Sequence, residues 1–330
     1  MRVAAFQSDG LLKIEERDLP KIGPGELLLK VQACGLCGTD ILKVQKRSIP
    51  VGTVLGHEVA GVIAQVGAGV KNFKEGDRVM VAHHVPCGEC HFCRHKNFSM
   101  CAQFKETNLD PGGFAEFLRI PEKHVTATTL KIPEGLSFEE ASFTEPIACC
   151  LRAVHRSALL PGDSVLIIGL GSIGLILTQL FRHFSMQVFV TDLMEDRKNL
   201  AKEWGATLFE PGIEKRLAAG GFDMVLLTAG NGGLLNRTLK WVRPGGKIHL
   251  FSHLSEDQSP FDVNSIYHRE LEVVATYSSS PQDLKEAMNF LETKKIDVKK
   301  LISASFPLEK LQEAIEKMSL KKIMKGIIQL

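Results

Sequence analysis

The stretch Val165-Leu166-Ile167-Ile168-Gly169-Leu170-Gly171-Ser172-Ile173-Gly174 constrains the fold of this chain more than any other. Its apolar start predicts a short buried strand, and a G-x-G-x-x-G turn follows at Gly169, Gly171 and Gly174. Beyond the turn, Ile173, Ile176, Leu177, Leu180, Phe181 and Phe184 recur at helical spacing, which predicts a helix with one apolar face. The glycines bare the backbone at that helix's N-terminus, around Ser172 and Ile173, where free N–H groups and the helix dipole favour a pyrophosphate. A second strand, Gln187 to Asp192, ends on an acid about twenty residues on, where a carboxylate can accept from a ribose 2′-hydroxyl. Asp192 argues for NAD over NADP, because a carboxylate repels a 2′-phosphate. Arg197 and Lys198 come next and read as exposed charges of the following helix, with NADP the alternative they would serve.

The apolar strand is one of a series. Strands are predicted at Val165–Ile168, Gln187–Asp192, Asp223–Thr228, Lys247–Phe251 and Glu270–Ala275, separated by helical patterns. That alternation implies a parallel sheet wound on both faces. The first 150 residues read differently. Leu27 to Cys34, Val59 to Val66 and Arg78 to Ala82 are short apolar or alternating runs bounded by turn signals such as Gly23-Pro24-Gly25 and Gly67-Ala68-Gly69, so this part is β-rich. After Ser280 come two amphipathic helices, one lined by Leu284, Ala287, Met288 and Leu291, the other by Leu308, Leu311, Ile315 and Met318.

A chain of 330 residues suits two domains. With 44% hydrophobic and 24% charged residues it has the balance of a soluble globular protein. A formal net charge of +2 gives no case for nucleic acid as a partner. No apolar run reaches the length of a membrane span, and the start Met1-Arg2-Val3-Ala4-Ala5-Phe6 has no signal-peptide apolar core. The expected setting is therefore the cytoplasm, where eight cysteines stay mostly reduced and close spacing points to metal rather than to disulfides.

Cys87, Cys90, Cys93 and Cys101 are separated by two, two and seven residues, so four thiolates can converge on one ion from a single small lobe. A tetrahedral four-cysteine set with no open position is the form of a structural zinc site. An iron–sulfur cluster is the rival, but such runs continue with a shorter last gap and a proline, both lacking here. A second group is dispersed: Cys37 in Cys37-Gly38-Thr39-Asp40, His57 and Glu58 in Gly56-His57-Glu58, and Glu145 in Thr144-Glu145-Pro146. Together they offer one sulfur, one nitrogen and carboxylate oxygens, a mixed set that fits a zinc keeping a position open for water or substrate. His57 and Glu58 are neighbours and would face opposite ways on a regular strand, so they share a metal only at a turn or strand end. Cys149 and Cys150 stand at an apolar helix start and read as core thiols.

The order of these motifs resembles the zinc-containing medium-chain dehydrogenases/reductases of the alcohol dehydrogenase superfamily, in the style of the sorbitol and threonine dehydrogenase branch. The resemblance spans nearly the whole chain. It implies an α/β protein: a GroES-like β-rich catalytic domain at 1–150 carrying the structural-zinc lobe at 84–103, a doubly wound Rossmann NAD-binding domain at 151–280, and a C-terminal segment at 281–330 packing back toward the catalytic domain. It also implies an interdomain cleft, a homodimer or homotetramer, and two zinc ions per chain.

By the same resemblance Cys37 and His57 are catalytic-zinc ligands, and Glu58 and Glu145 are the two acids of which one completes the set. Asp40 orients the zinc histidine, Thr39 passes the alcohol proton toward the cofactor ribose, Thr144 lies beside the nicotinamide, and His84 is an active-site histidine. The sequence departs from the pattern at Leu42, where many relatives carry a proton-relaying histidine, so release of the proton needs another route. Lys43, Lys46 and Arg47 form either a solvated face or a clamp for a substrate carboxylate or phosphate. The implied activity is zinc-dependent hydride transfer between NAD and a secondary alcohol: a polyol, cyclitol, amino alcohol or sugar derivative. The alternatives are a primary-alcohol or aldehyde enzyme of the same family, or a redox sensor that binds nucleotide without turnover.

Overall fold

The computed structural model describes residues 1–254 and 261–330. The chain divides into two compact units, Met1–Ala148 with Ser279–Leu330, and Cys149–Ser278.

The second unit is a six-stranded sheet whose strands are all parallel. Across it lie Thr207–Leu208, Gln187–Thr191, Ser164–Ile168, Phe222–Leu227, Val242–Leu250 and Glu272–Ala275. In chain order that is 3-2-1-4-5-6, the doubly wound nucleotide-binding arrangement, with its crevice where the order reverses. Ser164–Ile168 is buried at every position, as a central parallel strand covered on both faces must be. The helix Ser172–His183 follows the glycine turn and buries Leu175, Ile176, Leu177, Leu180 and Phe181. The two-residue strand Thr207–Leu208 lies below the length at which periodicity is readable, and no such strand is expected from the sequence.

The first unit is built on a seven-stranded sheet. Strand Leu27–Gly35 pairs antiparallel with Glu58–Val66, which pairs with Arg78–Val81, and that with Thr129–Lys131. Phe117–Ile120 also pairs with Leu27–Gly35. The tail contributes more than its two amphipathic helices, Pro281–Glu292 and Leu311–Ser319. Its strands Ala304–Pro307 and Gly326–Gln329 pair in parallel, and the latter joins the other edge of Leu27–Gly35. Phe306, Leu308, Leu311, Ala314, Ile315 and Ile328 pack into one core with Val3, Leu29, Val31, Phe114 and Leu118. Burying such side chains stabilises by about 1.5–3 kcal/mol each, which holds the tail to the first unit although some 130 residues separate them in sequence.

Candidate active site

Cys37-Gly38-Thr39-Asp40 is a helix N-terminus before it is anything else. Cys37 caps the helix Gly38–Gln45 in a reciprocal box: Thr39 N–H donates to Cys37 Sγ at 3.5 Å, and Cys37 N–H donates to Asp40 Oδ2 at 3.1 Å. The box fixes the sulfur at the helix start and turns the Asp40 carboxylate inward, where it is 1% exposed. Asp40 Oδ1 lies 3.3 Å from His57 Nδ1 and has no well-aligned hydrogen bond of its own. The carboxylate thus stands at one ring nitrogen of His57 and leaves Nε2 for another partner. Burial alone would lower the His57 pKa, but the Asp40 and Cys37 charges outweigh it and raise it well above the ordinary value.

Cys37, His57 and Glu58 offer ligand atoms that all lie within 4.8 Å of one another. The obstacle of adjacent residues on one strand is resolved by register. Strand Glu58–Val66 begins at Glu58, so His57 lies just before the pleat. Glu145, in the first turn of helix Thr144–Ser157, is buried but is not part of this convergent set. Thr39 is exposed. Thr144 is fully buried and its hydroxyl donates to Ala141 O at 2.7 Å.

Two residues that sequence reasoning did not single out shape this site. Lys325 Nζ forms a buried ion pair with Glu58 Oε2, the two residues being 2% and 1% exposed. The ammonium also stands 5.4 Å from the centroid of the Phe143 ring. Burial lowers the Lys325 pKa, but the Glu58 charge, followed by that of Cys37, reverses this and leaves it raised. The other residue is His83. Its ring lies 4.7 Å from that of His57, centroid to centroid, and its buried Nδ1 has no hydrogen-bond partner among the described residues. His84 is turned toward the cysteine lobe instead: Nδ1 is 2.6 Å from Thr107 O and the ring 4.6 Å from that of Phe104. Burial pushes the His84 pKa down to about 4. The sequence signal is the His83-His84 pair itself, and of the two it is His83 whose ring meets that of His57.

The four cysteines of the lobe converge within the same 4.8 Å limit. Cys90 caps the helix His91–Arg94, and Cys101 caps Ala102–Glu106. Cys90 N–H donates to Cys87 Sγ at 3.4 Å, Cys87 N–H to Cys101 Sγ at 3.4 Å, and Cys87 Sγ is 3.9 Å from Cys93 Sγ. Backbone N–H groups aimed at sulfur favour thiolate. Burial raises the thiol pKa at both Cys93 and Cys101. At Cys93 that effect and the neighbouring thiols carry it up to about 12, while at Cys101 the N–H groups of Cys87 and Phe104 bring it down to about 6. The donor chemistry fits zinc at both clusters: four sulfurs packed with Phe98 and Phe104, and a sulfur–nitrogen–oxygen set in which Asp40 orients the histidine.

In the second unit, Gly169 adopts φ +95°, and a Cβ on Gly174 would lie 1.9 Å from Gly169 O, so the turn closes only on glycine. A Cβ on Gly171 would meet nothing within 4 Å. Gly171 caps the helix Ser172–His183 with no side chain on the free N–H groups, leaving an open anion-binding end at Ser172 and Ile173. Asp192 accepts from Leu170 N–H at 2.5 Å and from Met194 N–H at 2.8 Å, which holds its carboxylate beside the glycine turn.

Comparison with known proteins agrees with this geometry. The family described as "Alcohol dehydrogenase GroES-like domain" matches residues 23–134, and "Zinc-binding dehydrogenase" matches 172–293. Similar curated proteins include the sorbitol dehydrogenase of Bacillus subtilis, 32% identical over 96% of this chain and 93% of that one. The D-arabitol-phosphate dehydrogenase of Enterococcus avium is 30% identical over 96% of this chain and 94% of its own length. Among solved structures, galactitol-1-phosphate dehydrogenase from Escherichia coli superposes with a TM-score of 0.87 at 25% identity, covering 100% of both chains. A zinc-binding dehydrogenase from Sinorhizobium meliloti, bound to NADP, gives 0.88 at 26% identity over 100% of this chain and 99% of that one. The chain belongs to the zinc-containing medium-chain dehydrogenases of the alcohol dehydrogenase superfamily.

Proposed function

We propose that this protein interconverts a secondary alcohol of the polyol or sugar-derivative class with its ketone, using NAD as hydride acceptor. The observation that carries the reading is the convergence of Cys37, His57 and Glu58 with Asp40 at the far nitrogen of His57. The relatives named sorbitol, arabitol-phosphate and galactitol-1-phosphate dehydrogenase support the substrate class. Cys37 and His57 would hold a catalytic zinc together with one acid, and Cys87, Cys90, Cys93 and Cys101 a structural one, making two per chain. A bound catalytic zinc supplies Lewis acidity that brings an alcohol pKa toward neutrality, and a bound nicotinamide takes up the hydride.

The chain's own residues do the positioning. Asp40 keeps His57 in the tautomer that presents Nε2 to a ligand. Lys325 engages one Glu58 oxygen and the other remains to face a metal held by Cys37 and His57; Glu58 or Glu145 would complete the set, and the other would hold its water. Thr39 is exposed at the helix start, the hydroxyl suited to take the alcohol proton onward, and Leu42 leaves the next transfer to water. Thr144 shapes the nicotinamide side through its backbone, since its hydroxyl is engaged. His84 acts as a support from the lobe and His83 as the histidine facing the ligands. Asp192 favours the unphosphorylated ribose of NAD, and Gly169, Gly171 and Gly174 admit the pyrophosphate. The reading includes a cytoplasmic setting, and assembly into a dimer or tetramer, as the family resemblance implies. Among the described residues no helix is long and apolar enough to cross a membrane.

The test is a screen of secondary alcohols with NAD and with NADP at equal concentration, read by the absorbance of the reduced cofactor, on protein of measured zinc content. Oxidation of a polyol or sugar derivative with NAD is expected. A fully zinc-loaded protein that binds NAD and turns over no alcohol in either direction would refute the reading.

A further inference from the structure

Glycine lets the turn after Ser164–Ile168 close, but the same freedom leaves a peptide plane beside it free to rotate, because glycine visits positive and negative φ alike. The turn is therefore held from outside, by the ends of the two strands that flank Ser164–Ile168 in the sheet. Gly169 N–H donates to Thr191 O at 3.0 Å. The next peptide unit, Gly169–Leu170, is held at both of its polar atoms. Leu170 N–H donates to Asp192 Oδ2 at 2.5 Å, and Gly169 O accepts from the Thr228 hydroxyl at 2.8 Å. Ile168 O lies farther from that hydroxyl, at 3.2 Å. Thr228 stands directly after strand Phe222–Leu227, where the strand order reverses and the crevice opens. Its own N–H donates to Ile168 O at 3.0 Å, which anchors its backbone beside the turn. Its hydroxyl uses the space that the glycines leave. A Cβ on Gly169 would lie 2.7 Å from Thr228 Oγ1, and one on Gly174 would lie 3.4 Å from it and 1.9 Å from Gly169 O. The Gly169 carbonyl is thus turned in against the start of helix Ser172–His183. A rotated peptide would set that oxygen against the Asp192 carboxylate, acceptor against acceptor.

We infer that Thr228 is a positioning residue for dinucleotide binding: its hydroxyl holds the Gly169–Leu170 peptide so that the turn keeps the shape that receives a pyrophosphate. The inference rests on the proposed use of NAD and adds to it a residue outside the glycine motif and Asp192. Thr228 acts through the backbone and not on the reacting atoms, so its effect belongs in cofactor affinity rather than in the chemical step. Without the hydroxyl, the half-buried Gly169 oxygen loses its donor and the peptide samples other orientations. Apparent affinity falls in proportion to the fraction of molecules that keep the receptive turn, and a lost hydrogen bond of this kind makes that about tenfold.

The experiment titrates zinc-loaded protein with NADH, read by the fluorescence of the cofactor, and then displaces NADH with ADP-ribose or with adenosine. Thr228→Val keeps the volume and branching of the side chain and removes the donor. In that variant the Kd values of NADH and of ADP-ribose, which carries the pyrophosphate, should rise about tenfold. Adenosine, which lacks the pyrophosphate, should bind almost as before. Thr228→Ser keeps the hydroxyl and should restore most of the NADH affinity. In steady state with an alcohol from the screen above, Thr228→Val should raise KM for NAD about tenfold and leave kcat at saturating NAD nearly unchanged. A merely structural role would lower Tm and the active fraction without that split. If Thr228→Val folds poorly, Thr228→Ala removes the same hydroxyl with no new bulk and carries the same expectation. An unchanged Kd for NADH, an equal loss in Thr228→Ser, or a loss for adenosine as large as for ADP-ribose would overturn the inference while leaving alcohol oxidation standing. Binding of NADH that depends on the Thr228 hydroxyl, in a protein that oxidises no alcohol, would instead refute the activity and uphold the role of Thr228.

Discussion

Removing the ammonium of Lys325 is the sharpest perturbation this fold offers. The pair with Glu58 joins positions 267 apart in sequence, and both residues are almost without solvent. In Lys325→Met the side chain keeps most of its volume, but the Glu58 carboxylate loses its partner in a site that water does not reach. Breaking a buried pair from one side costs about 3–5 kcal/mol, because the remaining charge is uncompensated. For a unit of about 200 residues that corresponds to a drop in Tm of roughly 10 °C or more. The double variant Glu58→Gln with Lys325→Met should recover most of the loss, since replacing both partners is often near neutral. Urea unfolding of the three proteins, with zinc first bound and then chelated, measures the coupling. The alkaline behaviour has a defined sign. The folded-state pKa of Lys325 is raised, so its contribution is fully present below the ordinary lysine value and disappears only as pH climbs through the raised one. The gap between wild type and Lys325→Met should therefore stay constant from pH 7 to about 10 and close above that. A single variant within about 0.5 kcal/mol of wild type, with no rescue in the double, would refute the assignment of this pair as a structural tie.

Elemental analysis should approach two zinc ions per chain with no stoichiometric iron, and Cys93→Ser should lower both zinc content and Tm because structural zinc contributes folding energy; iron with acid-labile sulfide would overturn the zinc assignment of the lobe. Asp192→Ser with an arginine introduced nearby should move preference from NAD toward NADP, as read by the ratio of kcat/KM for the two cofactors; a wild type already faster with NADP contradicts the role given to Asp192. His249 is fully buried, with Nε2 2.9 Å from Thr276 Oγ1, and burial, then the charges of Arg156 and Lys247, bring its pKa down to about 4. Its depressed pKa means stability is intact above pH 6.5 and falls toward pH 4 by up to about 3 kcal/mol, so His249→Leu with Thr276→Val should flatten that part of the stability profile, and an unchanged slope would count against it. His57→Ala should abolish alcohol oxidation while NAD binding, followed by fluorescence titration, persists; Thr39→Val should lower kcat by about 10²–10⁴-fold, and full activity from about pH 6 to 10 would move the proton role from Thr39 to a water on Glu145 or Glu58.

What could be read from the sequence was whatever is local or periodic. The turn at Gly169, Gly171 and Gly174 is legible because backbone closure excludes a Cβ at Gly174. The alternation of strand and helix is legible because each buried strand imposes a run and each helix a 3.6-residue period. The cysteine lobe is legible because its donors share one short loop. The tail strands Ala304–Pro307 and Gly326–Gln329 were not, since four residues carry too little alternation to be separated from the helices around them. Their pairing with Leu27–Gly35 is a fact of tertiary structure.

The same distinction explains the site. Cys37 and Asp40 are joined by a capping box, a local device written in four consecutive residues. Glu58 looked equivalent to any other acid near a metal ligand until the fold brought Lys325 to it, because the tail strand Gly326–Gln329 starts at the residue after Lys325 and runs along Gly35 and Cys34, opposite the start of Glu58–Val66. A strand register therefore decides that Glu58, next to His57 in sequence, meets a buried ammonium.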